Sequence, residues 1–137
     1  MKKLIICKGL PASGKSTWSK EYVKENPNVI RVNRDEIREM LGQKWSRDYE
    51  NKVVVPGEKR FVRAALDLGY DAIIDDTNLN PSIMAMWKKL GKELGAEVIV
   101  KEFNVDPEEC IRRDALRDRT VGRDVIMRMY NNYVKGQ

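Results

Sequence analysis

Short apolar runs alternate with amphipathic stretches along the chain. Residues 4–7 form an apolar run that ends near Gly9, which is typical of a strand buried on both faces of a parallel sheet. Further strands are predicted at residues 29–32, 72–74 and 97–103. Because helical patterns separate these strands, we expect an α/β domain of three layers with a mostly parallel central sheet.

Helical patterns fill the intervals between the predicted strands. Five helices are expected: at residues 15–24, from Asn33 onwards, at 81–94, from Asp106 onwards and at 124–134. Asn33 and Asp106 each have a glutamate three residues later, which is the pattern of a capping box. The segment 43–57 is not assigned, since its valines suit a strand or a buried helical turn, whereas Pro56-Gly57 indicates only that the chain turns.

The composition indicates a single globular domain, residues 1–137, with a highly charged surface. The chain has 137 residues, the commonest size for one domain, and 34% of them are charged. Lys and Arg number 26 against 21 Asp and Glu, giving a net charge of +5 that favours a polyanionic partner. Histidine is absent from the sequence, which excludes Ser-His-Asp and Cys-His nucleophilic sites and histidine-ligated metals.

Cysteine usage and hydropathy indicate the compartment. The two cysteines, Cys7 and Cys110, are far apart and fit neither a disulfide framework nor a zinc site. The sequence has no apolar run of the length that spans a membrane and no apolar core of a signal peptide. We therefore expect a cytoplasmic protein that does not bind membranes, and a homo-oligomer is left open.

A glycine-rich segment lies between the first predicted strand and the first predicted helix. Residues 9–16 match G-x-x-x-x-G-K-[ST] at every fixed position, with Gly9, Gly14, Lys15 and Ser16. Such glycines allow backbone N–H groups to surround phosphate oxygens, while Lys15 supplies a charge for the β- and γ-phosphates and Ser16 a hydroxyl for Mg²⁺. A glycine-rich turn with a solvated lysine is the alternative, but motif and context together favour binding of ATP with magnesium.

Asp35 is the best candidate for a group that activates an acceptor hydroxyl. It follows the second predicted strand, and the loops at the carboxyl ends of parallel strands line the ligand crevice. The apolar stripe of its helix comprises Ile37, Met40 and Leu41. Asp35 and Arg38 lie opposite this stripe, so we expect them to form a charged pair. An ordinary first-turn aspartate is the alternative, although the next residue already accounts for the helix cap.

A second acidic cluster is expected at the same edge of the sheet. Asp75-Asp76-Thr77-Asn78 follows the third predicted strand. One of its aspartates is a candidate to hold Arg38 or a magnesium-bound water. A polar turn leading into Asn80, the expected N-cap of the next helix, is the equal alternative for Asp76.

Arginines near the C-terminus are typical of a lid over phosphates. Arg113 and Arg117 lie four residues apart on one predicted helix, and Arg119 and Arg123 continue into a glycine-containing stretch. Arginines on such a segment can neutralise charge on a transferring phosphoryl group. Because aspartates alternate with these arginines, a solvated and ion-paired helix face is the alternative.

Trp18, Trp45 and Tyr49 are aromatic residues on which nucleic-acid bases could stack. Trp18 and Trp87 are expected to be packing residues. Trp45 lies among polar residues, including Gln43, so that stacking on a base remains an alternative to a structural role for it.

With these residues, the chain resembles the kinase domain of the bacteriophage-type polynucleotide 5′-hydroxyl kinases of nucleic-acid repair. The resemblance runs nearly from end to end. Its markers are the P-loop followed by Ser16-Thr17-Trp18, Asn33-Arg34-Asp35 with Arg38, the segment 75–81, and the arginine-rich segment before Asp124. It implies a P-loop kinase fold with an arginine-bearing lid, and a nucleic acid with a 5′-hydroxyl end as partner.

The resemblance also implies roles for individual residues. Asp35 would be the general base, Arg38 would contact an acceptor-side phosphate, and Asp76 would support Arg38. The implied ATP contacts are Gly9, Ser13, Gly14, Lys15, Ser16, Thr17, Arg113 and Arg117, with Ser16 on Mg²⁺. The implied acceptor contacts are Asp35, Arg38, Asp76, Thr77 and Asn78. Catalysis would depend on Lys15, Asp35, Arg38 and Arg117.

The expected function is therefore transfer of the γ-phosphoryl group of ATP to the 5′-hydroxyl end of RNA or DNA. The sequence has no D-x-D-G-T motif, so no 3′-phosphatase activity is expected. Two alternatives remain at this point. One is a P-loop kinase of a small-molecule hydroxyl, and the other is a nucleotide-binding module without catalytic activity.

Overall fold

A computed structural model of the protein describes residues 1–42 and 44–136. Gln43 and Gln137 lie outside the described residues. The strands are β1 (Lys3–Gly9), β2 (Val29–Val32), β3 (Asp71–Ile74) and β4 (Glu97–Phe103). The α-helices are α1 (Lys15–Glu25), α2 (Arg34–Leu41), α3 (Arg47–Tyr49), α4 (Val55–Asp67), α5 (Pro81–Glu93), α6 (Pro107–Ala115) and α7 (Arg123–Met129). Two π-helical turns follow α3 and α7, at Glu50–Val54 and Tyr130–Val134.

The four strands of the described residues form one sheet in the order β2-β3-β1-β4. All pairings are parallel, and β1 pairs with β4 along its whole length, from Lys3 opposite Glu97 to Gly9 opposite Phe103. The predicted α/β fold with a parallel sheet is thereby confirmed. Since parallel strands end at the same edge, the loops after β1, β2 and β3 lie side by side there.

Side chains that alternate along β1 pack against helices on both faces of the sheet. Leu4 and Ile6 are fully buried in a cluster that includes Val62 of α4 and Trp87 of α5. Ile5 and Cys7 point to the opposite face, where residues of α1 cover them. This arrangement gives the three layers that the buried, uniformly apolar β1 predicts.

A smaller apolar cluster holds the C-terminal helices against the loops at the carboxyl edge of the sheet. Its buried members are Leu10, Leu79, Cys110 and Ile126, from the loops after β1 and β3 and from α6 and α7. The arginine-bearing segment is therefore anchored beside the glycine-rich loop. In the described part of the chain, no helix is both long enough and apolar enough to cross a membrane.

Residues 47–57 of the unassigned segment belong to one helical stretch, and the predicted turn at Pro56-Gly57 is wrong. The chain continues from α3 through the π-helical turn into α4 without a break, and the sequence patterns did not predict α4. The N–H of Val55 donates to the carbonyl of Glu50, five residues earlier. Because proline lacks an N–H and crowds the preceding turn, this wider turn accommodates Pro56 near the start of α4.

Helix α2 has the expected N-cap, but it buries fewer of its apolar side chains than expected. The side chain of Asn33 accepts a hydrogen bond from the Glu36 N–H at 2.9 Å, whereas the Glu36 carboxylate binds Arg31 and does not complete a capping box. Ile37 is buried, but Met40 is 66% exposed and Leu41 40% exposed, so the predicted apolar stripe is wrong beyond Ile37. An eight-residue helix has only two turns with which to cover the core.

The same correction applies to the second capping box. Asp106 caps α6 by accepting from the Glu108 N–H at 3.1 Å. The Glu109 carboxylate, which would close the box, instead accepts from Arg112.

Candidate active site

A cleft of about 980 Å³ lies at the carboxyl edge of the sheet. It is bordered by the loop between β1 and α1, by α2, by the segment after β3 and by α6. The predicted site residues that line it are Gly14, Lys15, Ser16, Thr17, Asp35, Arg38, Asp76, Thr77, Asn78, Arg113 and Arg117. The structure thus brings together residues that stand up to a hundred positions apart in the sequence.

Gly9 and Ser13 belong to the glycine-rich loop but do not line the cleft. The Gly9 N–H donates to the carbonyl of Thr77 at 3.0 Å, which ties the start of the loop to the segment after β3. A Cβ atom at Gly9 would lie 2.7 Å from Ser13 Oγ and 2.9 Å from the carbonyl oxygen of Phe103. A side chain at position 9 would therefore push the loop away from the sheet.

The N-terminus of α1 has the features of an anion-binding site. Its N-cap, Gly14, has φ of 101° and no side chain that caps the helix, and the first turn contains no acidic residue. The first-turn N–H groups of a helix have no partners within the helix, and the helix dipole places partial positive charge there. An incoming phosphate would therefore meet free donors and no competing carboxylate.

The ammonium group of Lys15 is held by neutral oxygen atoms of the same loop. Its Nζ donates to the carbonyls of Leu10 at 2.6 Å and Gly9 at 3.0 Å, and to Ser13 Oγ at 3.3 Å. The residue is 7% exposed, and burial lowers the pKa of its amine to about 8 although Asp75 acts in the opposite direction. In the described residues no carboxylate forms an ion pair with Lys15, so its charge is available to an anion.

Asp75 connects the sheet to the region around Ser16. Its carboxylate, 1% exposed, accepts hydrogen bonds from Ser19 Oγ at 2.8 Å and from Arg31 Nε at 2.7 Å. Arg31 Nη2 lies 3.5 Å from Ser16 Oγ. The sequence placed Asp75 in the acidic cluster, but Ser19 and Arg31 were missed, because only the folded sheet brings β2 and α1 beside β3.

Asp35 and Arg38 form the predicted charged pair, at the end of the cleft that α2 borders. The Asp35 side chain is 64% exposed, and its Oδ1 accepts from Arg38 Nη2. Arg38 also donates to Glu50 Oε1 at 2.5 Å. The prediction that Asp76 supports Arg38 is wrong, since the second partner of Arg38 is Glu50. Glu50 belongs to the unassigned segment, and nothing in its local sequence indicates this contact.

Asp76 instead contacts Arg34, the residue that precedes Asp35. The Arg34 backbone N–H donates to Asp76 Oδ1 at 2.9 Å, and its side-chain Nε donates to Glu58 Oε1 at 2.8 Å. Glu58, on α4, is fully buried. Both ends of Arg34 are therefore held by carboxylates, which fixes the first turn of α2 and with it the backbone that carries Asp35.

The buried carboxyl groups of Glu58 and Asp76 favour one shared proton at neutral pH. Glu58 Oε2 and Asp76 Oδ2 are buried and have no hydrogen-bond donor among the described residues. Burial and the nearby Asp76 raise the pKa of Glu58 to about 10, and burial also raises the pKa of Asp76. One proton between the two carboxyl groups supplies the missing donor and removes one of two adjacent negative charges.

The four arginines considered for a lid separate into two pairs. Arg113 and Arg117 line the cleft, whereas Arg119 forms an ion pair with Glu39 on α2 at 2.9 Å and Arg123 with Glu108 at 2.8 Å. Neither of the latter two borders the cleft among the residues described. The expected choice of Arg113 and Arg117 as site residues therefore agrees with their placement, while their role stays a prediction.

Asp114 organises the loop that follows Arg113, a function that the sequence did not suggest. It is 2% exposed and binds Arg117. It also accepts from the N–H groups of Val121 at 3.0 Å and Gly122 at 2.9 Å. These hydrogen bonds hold the pKa of Asp114 below its usual value although burial acts in the opposite direction.

The tryptophans are mostly structural. Trp18 packs against Tyr22 with ring centroids 5.2 Å apart, and Trp87 is fully buried. Trp45 is 61% exposed and does not line the cleft. The packing prediction is confirmed for the first two, and stacking by Trp45 stays a prediction without a contact to support it.

Comparisons with known proteins place the chain in a family. A family model described as an AAA domain matches residues 4–135. The chain belongs to this AAA domain family. The L-seryl-tRNA(Sec) kinase of Methanococcus maripaludis is 28% identical over 134 residues, which cover 95% of this chain and 52% of that protein. A protein of Autographa californica nuclear polyhedrosis virus, named as a bifunctional polynucleotide kinase/RNA ligase, is 24% identical over 98% of this chain and 21% of its own length.

Solved structures agree with these relatives. A chain in the Pnkp1/Rnl/Hen1 RNA repair complex superposes with a TM-score of 0.82 at 27% identity, covering 95% of this chain and 43% of that one. The chain therefore spans about half or less of the length of these three proteins. The predicted resemblance to polynucleotide kinases is confirmed for the kinase domain. As a member of the P-loop kinases, the chain is expected to bind ATP and to act as a phosphotransferase.

Proposed function

We propose that this protein transfers the γ-phosphoryl group of ATP to the 5′-hydroxyl end of a polynucleotide. The Asp35–Arg38 pair carries this proposal. A carboxylate and a guanidinium border one end of a cleft whose other end is an anion-binding loop. This is the combination that an acceptor with both a hydroxyl and a neighbouring phosphate requires. The similarity to the viral polynucleotide kinase and to the RNA repair complex supports the same substrate class.

The donor end of the cleft suits a triphosphate. The N–H groups at the start of α1 would bind the phosphate oxygens, and Lys15 would exchange its loop carbonyls for the β- and γ-phosphates. The Ser16 hydroxyl borders the cleft, and its one hydrogen-bond contact among the described residues is a long one to Arg31, so it fits a role as ligand to Mg²⁺. Magnesium bound there would neutralise charge on the phosphates.

The acceptor end suits a 5′-hydroxyl. Asp35 is exposed to the cleft on one side and fixed by Arg38 on the other, so it would accept the proton of the hydroxyl as bonding to phosphorus advances. Arg38 would bind the phosphate that follows the terminal nucleoside. Arg113 and Arg117 would approach the transferring phosphoryl group from the opposite wall. The transfer is direct, without a covalent enzyme intermediate.

The deciding experiment incubates the protein with labelled ATP, Mg²⁺ and a 5′-hydroxyl oligonucleotide, and measures the label at the 5′ end. We expect Asp35→Asn to lower kcat by about 10²- to 10⁴-fold while the Kd for ATP stays within about twofold of the wild-type value. Asp48→Asn is a matched control, because Asp48 is an exposed aspartate on α3 outside the cleft. An unlabelled oligonucleotide, together with turnover of small alcohols, would reject the proposed substrate.

A second candidate is a kinase whose acceptor is the hydroxyl of a small group, in particular a seryl group carried on RNA. The similarity to L-seryl-tRNA(Sec) kinase, over nearly the whole chain, favours it. Both candidates use the same donor site and the same carboxylate. An RNA that carries a seryl group and has a blocked 5′ end distinguishes them. The seryl kinase would label this RNA, whereas the 5′-hydroxyl kinase would not.

A further inference from the structure

A second concave surface lies between α4 and α5. This groove has a volume of about 720 Å³ and is lined by cationic side chains with an apolar floor. The residues that define it are Lys59, Arg60 and Arg63 from α4, with Met86, Lys89 and Leu90 from α5. We refer to this surface as the basic groove. Neither the family resemblance nor the proposed reaction assigns any function to it.

The basic groove carries a net positive charge. It contains four cations and one acidic residue, Glu93. Among the described residues none of the four cations takes part in an ion pair. In contrast, Arg31, Arg34 and Arg38 around the cleft each bind at least one carboxylate. Four cations against one acidic residue along one concave surface create a positive potential that attracts a polyanion.

The basic groove continues the acceptor end of the cleft. Ile83 of α5 lines the cleft and precedes Met86 by about one helical turn. On the other wall, Glu50 lines the cleft and Pro56 lines the groove. At 1.5 Å per residue, the stretch from Ile83 to Leu90 extends roughly 10 Å from the acceptor end. A chain whose 5′ end occupied the cleft beside Asp35 would therefore meet the groove with its following nucleotides.

We propose that the basic groove binds the phosphodiester backbone of a single-stranded nucleic acid, downstream of the 5′ end that the cleft accepts. This inference rests on the proposed function. Backbone phosphates would bind Arg60, Arg63 and Lys89, while Met86 and Leu90 provide an apolar floor for sugar or base. Contacts of this kind do not read sequence, so the groove adds affinity and a preference for longer acceptors.

The test uses a triple variant, Arg60→Gln with Arg63→Gln and Lys89→Gln. The three side chains are exposed and glutamine is a good helix former, so the fold is retained. Binding of a fluorescent 5′-hydroxyl oligonucleotide of about 12 nucleotides is measured by anisotropy across a salt series. We expect Kd to rise by at least about 10-fold at about 0.1 M salt, and the slope of log Kd against log salt to fall by about 2, as expected for three lost phosphate contacts on a single strand.

A matched control removes three cations elsewhere, through Lys24→Gln, Arg128→Gln and Lys135→Gln. This control lowers the net charge equally and touches neither the cleft nor the groove. If control and groove variants weaken binding equally, net charge alone attracts the oligonucleotide and the groove proposal is rejected. The same rejection follows if neither variant changes binding.

Phosphorylation assays separate the groove from the proposed function. We expect the groove variant to raise the ratio of KM for the longer oligonucleotide to KM for a trinucleotide by about 10-fold, since only the longer acceptor reaches the groove. An unchanged ratio rejects the groove but leaves the proposed function intact. Binding that depends on the groove, without any phosphorylation by the wild type, rejects the proposed function and supports the groove. Absence of both binding and phosphorylation in the wild type rejects both.

Discussion

The two ends of the cleft are built in opposite ways. The donor end comes from one continuous stretch, residues 9–17, and the partners of its cation, Lys15, in the described part of the chain are neutral oxygen atoms. The acceptor end comes from α2, the π-helical turn and α4, and the segment after β3. There Arg34 and Arg38 are already paired with Glu58 and Glu50. A phosphate therefore finds an uncompensated charge at one end, but must compete with a carboxylate at the other.

This difference indicates that the affinity for ATP and the affinity for the terminal nucleotide of the acceptor arise in different ways. At the donor end, binding of a triphosphate replaces hydrogen bonds from Lys15 to neutral oxygen atoms and, among the described residues, breaks no ion pair of Lys15. At the acceptor end, the gain from an Arg38–phosphate contact is offset by the weakened contact to Glu50. We therefore expect tight ATP binding and weaker binding of the terminal nucleotide. A longer acceptor would then need contacts beyond the cleft.

The largest effect is expected from Lys15→Ala, which removes the cation of the donor end. Loss of its charge from the transferring phosphates should lower kcat by about 10³-fold. Lys24→Ala, on the same helix but exposed, is the control and should behave as the wild type. Single-turnover rates with labelled ATP measure the effect. Turnover retained by the Lys15 variant would remove the loop from the mechanism and with it the contrast between the two ends.

An intermediate effect is expected from Glu58, which tests the paired acceptor end. Glu58→Ala removes the carboxylate to which Arg34 Nε donates its hydrogen bond and should lower the free energy of unfolding by about 3 kcal/mol. Glu58→Gln keeps both an acceptor for Arg34 and a donor for Asp76, so it should cost less than about 1 kcal/mol. Urea unfolding measures both values. Equal destabilisation by alanine and glutamine would show that the shared proton is not present.

The pH dependence of the same two proteins sharpens this test. Since the folded-state pKa of Glu58 is raised from its ordinary value of 4.5 to about 10, the folded wild type binds more protons than the unfolded chain between these values. Its stability should therefore fall as pH rises through this window. Glu58→Gln lacks the titrating group, so its stability relative to the wild type should increase between about pH 6 and pH 9.

The smallest effect is a proton taken up when ATP binds. Because burial lowers the pKa of Lys15 to about 8, most of the amine is neutral at about pH 9 before the phosphates arrive. Phosphate contact favours the charged form, so calorimetry in buffers of different ionisation enthalpy should detect uptake of nearly one proton at pH 9 and almost none at pH 6.5. Lys15→Arg, which stays charged, should show no uptake at either pH.

The same contrast explains what the sequence could predict. The glycine-rich loop was recognised because all of its parts are adjacent, and Asn33 was assigned as a cap because capping is a local interaction. Glu50 and Glu58 were missed because their partners lie on α2, and because Pro56-Gly57 was interpreted as a turn. A π-helical turn that accommodates a proline depends on the surrounding packing, so the helix propensities of its residues do not predict it. The prediction that Asp76 lies at the carboxyl edge of the sheet is correct, but the residue that it contacts is Arg34 and not Arg38.

Asp114 links the two helices at the C-terminal end of the described chain. Its carboxylate joins Arg117 and the amide groups of Val121 and Gly122, so a single side chain closes the stretch from α6 to α7 into a ring. This ring links the end of α6 to the start of α7, because Asp114 lies on α6 and Gly122 is the N-cap of α7. Substitution of an exposed residue in this segment, such as Leu116, would keep the hydrogen bonds of Asp114. Loss of the Asp114 carboxylate would remove the link between the two helices.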